Sequence, residues 1–541
     1  MQYQASFKKT FILLLICMVG FWLSCHKDNN QAKTPNFLSR SLRDTLFYNQ
    51  NDESRSIILK MRLERNFDHF SNKKVLDSFY RINHYHSHFV ENFLENQGID
   101  ALIKVSGESM YQGLNPTNYN VKHLENVLKS LRDHKNKDLV NAYITLADLE
   151  LNSLNTLISY SRDLQYGRLN PKQIFQSNFN IQYKVPDSSF LNGIFNCKNL
   201  RKYLDSIQPQ KESYQIMQRE LTRLVQENPE NWSGENPTND SILKLRVNLE
   251  RMRWKPVDTS SRYLFVNIPE FKLYAIENNR PVWNMKVCVG QRKKDDYNSK
   301  MAIYLKSHKI DDRPENHQTP LLYSVVQSIQ VNPKWSVPKS IIQNEIFFKM
   351  IRNPKYLQEN QMKLYMGNKL ISRPDTIQWS KIRRDKIPFS IKQDAGDFNS
   401  LGKLKFNFQN PFSVYLHDTP NKAAFKRDVR DVSHGCVRVE NPLKLASYLL
   451  QDNGKNAMDL VRIKIGLKPG DDSSEHLQKL YEREQLALSK NDHSFQPSAV
   501  ILKRKVPIYI QYFTSGVDQD KNVFYCKDIY NMDKTILKQL Q

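Results

Sequence analysis

The sequence predicts an α+β multidomain chain: an N-terminal helical scaffold domain, then a mainly β domain that a helical capping insertion interrupts. Three observations predict it. Over 35–225 apolar residues recur near helical spacing, and beyond 260 they fall into strand-like runs. Between 339 and 390 the helical pattern returns before alternation resumes.

Each element follows in order. Lys8 and Lys9 precede the apolar run FILLLICMVGFWLSC, which stops abruptly at HKDNNQ. A charged start, a short apolar core and a small residue make 1–25 an expected secretory signal, too short for a spanning helix. Cys25 directly after Ser24 is the expected lipidation site, although Trp22 and Leu23 depart from the usual residues of a lipoprotein signal. The expectation is an exported, periplasmic, membrane-anchored lipoprotein, with an ordinary signal or uncleaved anchor as the alternative. The helical domain, 35–225, includes LADLELNSLNTLISYSRDLQYGRLNP, with Leu146, Leu149, Leu154 and Ile158 near helical spacing and a stop at Gly167 and Pro171. No catalytic set stands out in it. The stretch QENPENWSGENPTND opens a linker placed at 226–244.

The first part of the β domain is 245–338. YLFVNIPEFKLYAIENNRPVWNMKVCVG reads as a β-meander with Asn278-Asn279 at a turn, and LLYSVVQSIQVNPKWSVP continues it. The capping insertion, 339–390, begins IIQNEIFFKMIRNPKYLQEN and ends near IPF. The second part is 391–541, where KLKFNFQNPFSVYLHDTP places Leu404, Phe406 and Phe408 on one face. NPLKLASYLL is a short helix, 468–497 is polar, and VPIYIQYFTSGVDQDKNVFYCKDIY closes the chain as strand, turn and strand.

A hydrophobic share of 39% over 541 residues is enough for real cores. The net charge of +24 suits an anionic membrane surface, a wall polymer or nucleic acid, but the favoured reading is that scattered Lys and Arg simply keep the chain soluble. No dense basic block interleaved with aromatics accompanies it, so nucleic acid is not an expected partner. Of six cysteines, Cys17 and Cys25 fall in the signal, and Cys197, Cys288, Cys436 and Cys526 show no CxxC spacing. Cys288 and Cys526 sit in apolar patterns and read as core. Cys436 alone has polar company.

That company is HDTPNKAAFKRDVRDVSHGCVRVENP, residues 417–442. His417 ends an alternating strand, where its side chain can face a cleft. Cys436 ends a polar loop. A thiol attacks well only once its proton is gone, so an imidazole within reach has to lower its pKa or take the proton during attack. Gly435 allows a tight turn and lets nearby amides converge on an oxyanion. Arg438, two residues on, shares a strand face with Cys436 and can hold a substrate carboxylate or steady the loop. Three other readings stay open: a zinc site on His417, His434 and Cys436, which lacks a fourth ligand; a polar loop without chemistry; and a thiol peptidase, whose order would place Cys before His.

HDTP followed by SHGCVRVENP resembles the active-site signature of the L,D-transpeptidases, the YkuD-type domain. NLERMRW at 248–254, VNPKWSVP at 331–338, the KLKFNFQNPFSVYLHDTP run and the C-terminal strands are similar to the family's large Gram-negative branch, and GRLNP to its helical scaffold. Two features depart from that branch. Only the short linker stands where a peptidoglycan-binding module is usual, and RKKDDYNSKMAIYLKSHKIDDRPENHQ is longer and more charged than the corresponding loop.

The resemblance implies a chemistry without metal or organic cofactor. Its donor is a peptidoglycan stem tetrapeptide, acylating Cys436 with loss of D-Ala. The acceptor is the side-chain amine of a neighbouring stem, giving a 3→3 cross-link. It implies catalytic roles for Cys436, His417, His434 and Gly435, and substrate contacts from Arg438, Ser433, Tyr415 and Trp335. For Tyr415 and Trp335 core packing is an equal alternative. The same acyl-enzyme could serve hydrolysis, D-amino-acid exchange or wall-protein attachment, and an inactive wall-binding scaffold is a further alternative. Asp418 would orient His417 by residue type, but neighbours on a strand face opposite ways, which leaves that task to a backbone carbonyl.

Overall fold

The computed structural model describes residues 37–227, 229–232, 239–489 and 496–540. The expected signal, with Cys17 and Cys25, lies outside the described residues. The helical half is built around Leu139–Tyr166, a helix capped by the Asp138 carboxylate and ended at Gly167. Leu146, Leu149, Leu154 and Ile158 are all buried in its cluster. The same helix carries a buried acid, Glu150, which accepts hydrogen bonds from the amides of His88, Phe89 and Val90 and from the Tyr80 hydroxyl. A carboxylate can stay buried when several donors, here at a helix start, face it.

The linker expected over 226–244 is shorter than that. Helix Glu212–Glu227 runs into it, and helix Asp240–Arg253, capped by Asn239, begins inside it. This second helix carries NLERMRW and joins the two halves. On the helical side Arg253 binds Glu250, the Gln112 carbonyl and the Tyr214 hydroxyl. On the other side Asn248 binds Thr514, and Arg251 pairs with Asp533 at 2.6 Å.

The β half closes on itself. From Leu321–Val331 the strand order runs through Leu404–Phe408, Leu416–His417, Val437–Val439, Arg280–Gly290, Lys272–Glu277 and Arg262–Asn267 to Ser498–Gln511. Ser498–Gln511 pairs in turn with Leu321–Val331, which completes the ring. Strand positions that alternate inward, among them Val266, Val287, Ile329, Phe406, Leu416, Val437 and Ile508, form one apolar cluster. Asn278 and Asn279 both take positive φ, at 48° and 64°, the backbone that a two-residue hairpin turn requires.

Three segments differ from the reading by pattern. The capping insertion is helical in its first part, over Lys339–Arg352 with a π-helical turn at Ile342–Ile346 and again at Tyr356–Glu359. It continues into strands Met362–Met366, Lys369–Ile371 and Phe389–Gln393, which join Trp335–Ser336 in a four-stranded sheet. These strands are too short for their alternation to stand out beside a helical run. The polar stretch 468–497 contains helix Glu475–Ser489, whose polar surface hides its period. The charged loop after Gly290 carries helix Tyr297–Ser307, in which no residue is buried.

Candidate active site

The site lies on the sheet face opposite the apolar cluster. Leu416–His417 runs parallel to Val437–Val439, with Leu416 opposite Val437 and His417 opposite Arg438. Lys405 stands opposite His417 on the next strand, and Cys288 opposite Arg438 on the other side. Lys405, His417, Arg438 and Cys288 therefore form one cross-strand row. Tyr415 and Cys436 lie one strand step earlier on the same face, since side chains repeat every two residues. The Tyr415 and His417 rings meet edge-on, 5.6 Å between centroids, and the Lys405 ammonium sits 4.1 Å over the Tyr415 ring.

His417 is buried, and its Nδ1–H donates to the backbone carbonyl of Asp418. A carbonyl can only accept, so the proton is on Nδ1 and Nε2 carries the lone pair. The Asp418 carboxylate is turned elsewhere, accepting from the amides of Lys403 and Thr419 and from Lys422 Nζ. Burial, reinforced by the Arg438 guanidinium, pushes the His417 pKa down to about 3. Burial raises the Cys436 thiol above its ordinary value, although hydrogen bonding to Tyr415 and the charges of Lys405 and Arg438 oppose the rise. At neutral pH the two groups are thus a thiol and a neutral imidazole rather than an ion pair. Of the two routes left open by the sequence, proton removal during attack is the one these electrostatics favour. Among the described residues no hydrogen bond joins them. The sulfur has Tyr415 beside it and the Ser413 carbonyl at 4.0 Å.

The loop before Cys436 is held from within and from below. Ser433 is buried, donates from its hydroxyl to the Cys436 carbonyl and accepts from the Gly435 amide at 3.2 Å. Two expectations change here. Ser433 organises the loop instead of facing substrate, and the Gly435 amide is already engaged instead of lining an oxyanion pocket. Among the described residues the Cys436 amide has no such partner, which makes it the available oxyanion donor. Gly435 keeps its place through its φ of 113°, a conformation closed to L side chains. Thr319 ties the loop down, donating to the Gly435 carbonyl at 2.9 Å and accepting from Gly290 at 2.8 Å. A Cβ on Gly290 would stand 1.8 Å from the His317 carbonyl, so this close approach requires glycine.

The remaining candidates separate. Arg438 is half-buried, its Nε has no partner, and no carboxylate pairs with it among the described residues. His434 is engaged by Glu345 of the cap, and its ring lies 4.7 Å from that of His317. Trp335 belongs to the cap, paired with Gln393 and packed on its apolar cluster. The zinc set of His417, His434 and Cys436 is not gathered. The group whose ligand atoms do converge, all within 4.8 Å, is His317, Glu345 and His434. Cys197, Cys288, Cys436 and Cys526 are all free thiols. Sequence reasoning missed Lys405, Thr319, His317 and Glu345. Lys405 had one signal, its place on the polar side of an alternating strand, but its position beside His417 depends on register.

The Cys436 thiol, a neutral imidazole with an open Nε2 and an amide donor are the groups that acyl transfer through sulfur requires. Residues 261–465 match the family model of the L,D-transpeptidase catalytic domain, YkuD, and residues 74–221 match that of the Scaffold domain. A protein of Haemophilus influenzae (strain ATCC 51907 / DSM 11121 / KW20 / Rd) named "Putative L,D-transpeptidase" is 28% identical over 293 residues, 54% of this chain and 48% of that relative. The chain thus spans about half the length of the curated relative it matches. It carries a YkuD-type L,D-transpeptidase catalytic domain preceded by a Scaffold domain.

Proposed function

We propose that the chain is a peptidoglycan L,D-transpeptidase that forms 3→3 cross-links, exported to the periplasm and held to a membrane through lipidated Cys25. The observation that carries the chemistry is the shared face: Cys436, His417 with its bare Nε2, and Arg438 with no carboxylate of its own. Arg438 suits a carboxylate of the donor stem, since an unpaired guanidinium gains most from an ionic partner. His417 Nε2 removes the thiol proton as sulfur attacks the carbonyl at the L-centre of the diamino acid. The Cys436 amide faces the developing oxyanion. Collapse breaks the C–N bond to D-Ala, whose nitrogen takes the proton from His417, and a thioester remains. The side-chain amine of a second stem then attacks. His417 takes its proton and returns one to the departing sulfur. The cap, reaching the loop through Glu345, keeps water from competing with that amine.

Mass analysis of products from two stem tetrapeptides tests this reading. The expected result is a cross-linked dimer with one D-Ala released per bond, absent with Cys436→Ala. Tripeptide alone would replace cross-linking by hydrolysis, and D-Ala release by Cys436→Ala would remove the thiol from the mechanism.

A further inference from the structure

The convergence of His317, Glu345 and His434 is unused by the acyl-transfer chemistry. The three come from separate parts of the fold: the loop before Leu321–Val331, the π-helical turn of the cap, and the loop before Cys436. A π turn inserts an extra residue into a helix and is common where a side chain has to be re-aimed, and Glu345 lies within this one. Two imidazoles and one carboxylate are a ligand set that zinc accepts with a position left open. Their ligand atoms are all within 4.8 Å of one another. Around a tetrahedral zinc such atoms are roughly 3.4 Å apart, as bond lengths near 2.1 Å require, so the widest contacts close by at most about 1.4 Å while the hydrogen-bonded His434–Glu345 pair opens to admit the ion.

The surroundings favour a cation. The His317 side chain is 15% exposed, Glu345 27% and His434 33%, which shields the group while leaving an approach from solvent. Buried His317 Nδ1 has no hydrogen-bond partner, and its Nε2 lies 3.3 Å from Glu315, a carboxylate placed to orient a ligating imidazole.

We propose that His317, Glu345 and His434 bind a divalent transition-metal ion of the zinc class, which fastens the cap to the nucleophile loop two residues from Cys436. Bound metal holds the cap closed and slows the entry of donor peptide. The site is distinct from the thiol and requires no redox step.

Calorimetric titration of the metal-free full chain with zinc chloride tests this. The expected result is one zinc per chain, bound alike by the native protein and by Cys436→Ala. Affinity is expected to fall at least about tenfold in His317→Ala and in Glu345→Gln. The near-isosteric Glu345→Gln change at a partly exposed position guards against loss of fold. Cobalt(II), used as a second probe, should give a visible spectrum without the thiolate charge-transfer band in the near ultraviolet. Absence of binding, undiminished binding in both ligand variants, or binding abolished by Cys436→Ala would each overturn the proposal.

Discussion

Two cationic regions of this molecule treat their guanidinium groups differently. At the junction helix Arg253 pairs with Glu250 and Arg251 with Asp533, all four side chains nearly or fully buried. On the barrel face Arg438 and Lys405 flank His417 with no carboxylate on Arg438, and the near acid, Asp418, turns its charge toward Lys422. An orphaned Nε does not separate the regions, because Arg253 and Arg438 both have one. The carboxylate does. A buried charge with its partner in the chain holds two domains together, whereas the half-buried Arg438, beside the thiol and imidazole without a carboxylate of its own, suits an anionic ligand.

Breaking each side in turn sharpens the contrast. The largest effect is expected at the sulfur. Cys436→Ala should lower acyl transfer by about 10³-fold or more, measured as D-Ala release, with thermal stability nearly unchanged. Next comes the junction: Glu250→Gln leaves Arg253 buried without its counter-charge and should cost roughly 3–5 kcal/mol, read as a lower midpoint in thermal or urea unfolding. Arg438→Gln should do the opposite, sparing stability while reducing kcat/KM by about 10- to 150-fold through KM, equivalent to one charge-assisted hydrogen bond of about 1.5–3 kcal/mol. If Arg438→Gln unfolds the protein and Glu250→Gln does not, the contrast is reversed.

The pH profile is the smallest and most specific effect. With its pKa near 3, His417 is already a free base throughout the physiological range, so acylation should show no acid limb near the ordinary imidazole value of 6.5. With a neutral imidazole taking the proton from a protonated thiol, the rate should stay flat from above the His417 pKa until the Cys436 thiol, raised by burial above its ordinary range, begins to ionise. An acid limb near 6.5 would instead indicate a His417 imidazole at its ordinary pKa.

Much of this was legible in the residues. The spacing from His417 to Cys436, the alternation of Leu404, Phe406 and Phe408, and the Asn278-Asn279 turn are local patterns, and local patterns survive folding. Register does not show in one strand alone. The row linking Lys405, His417, Arg438 and Cys288 needs four strands aligned, so the sequence could name His417 and Arg438 without showing that Lys405 stands beside them. The Ser433 hydroxyl was misread for a similar reason: its partners, the Cys436 carbonyl and the Gly435 amide, are backbone groups that become visible only once the loop has turned. Glu345 and His434 are 89 residues apart, and no periodicity connects them.

Intact-mass spectrometry of the native chain incubated with a stem tetrapeptide, followed by peptide mapping, addresses the central claim most directly. The account predicts one acyl group, equal in mass to the donor less D-Ala, on Cys436, and a greatly slowed appearance of it in His417→Gln. An adduct on Cys288, Cys197 or Cys526, or acylation of Cys436 at an undiminished rate without the His417 imidazole, would contradict it.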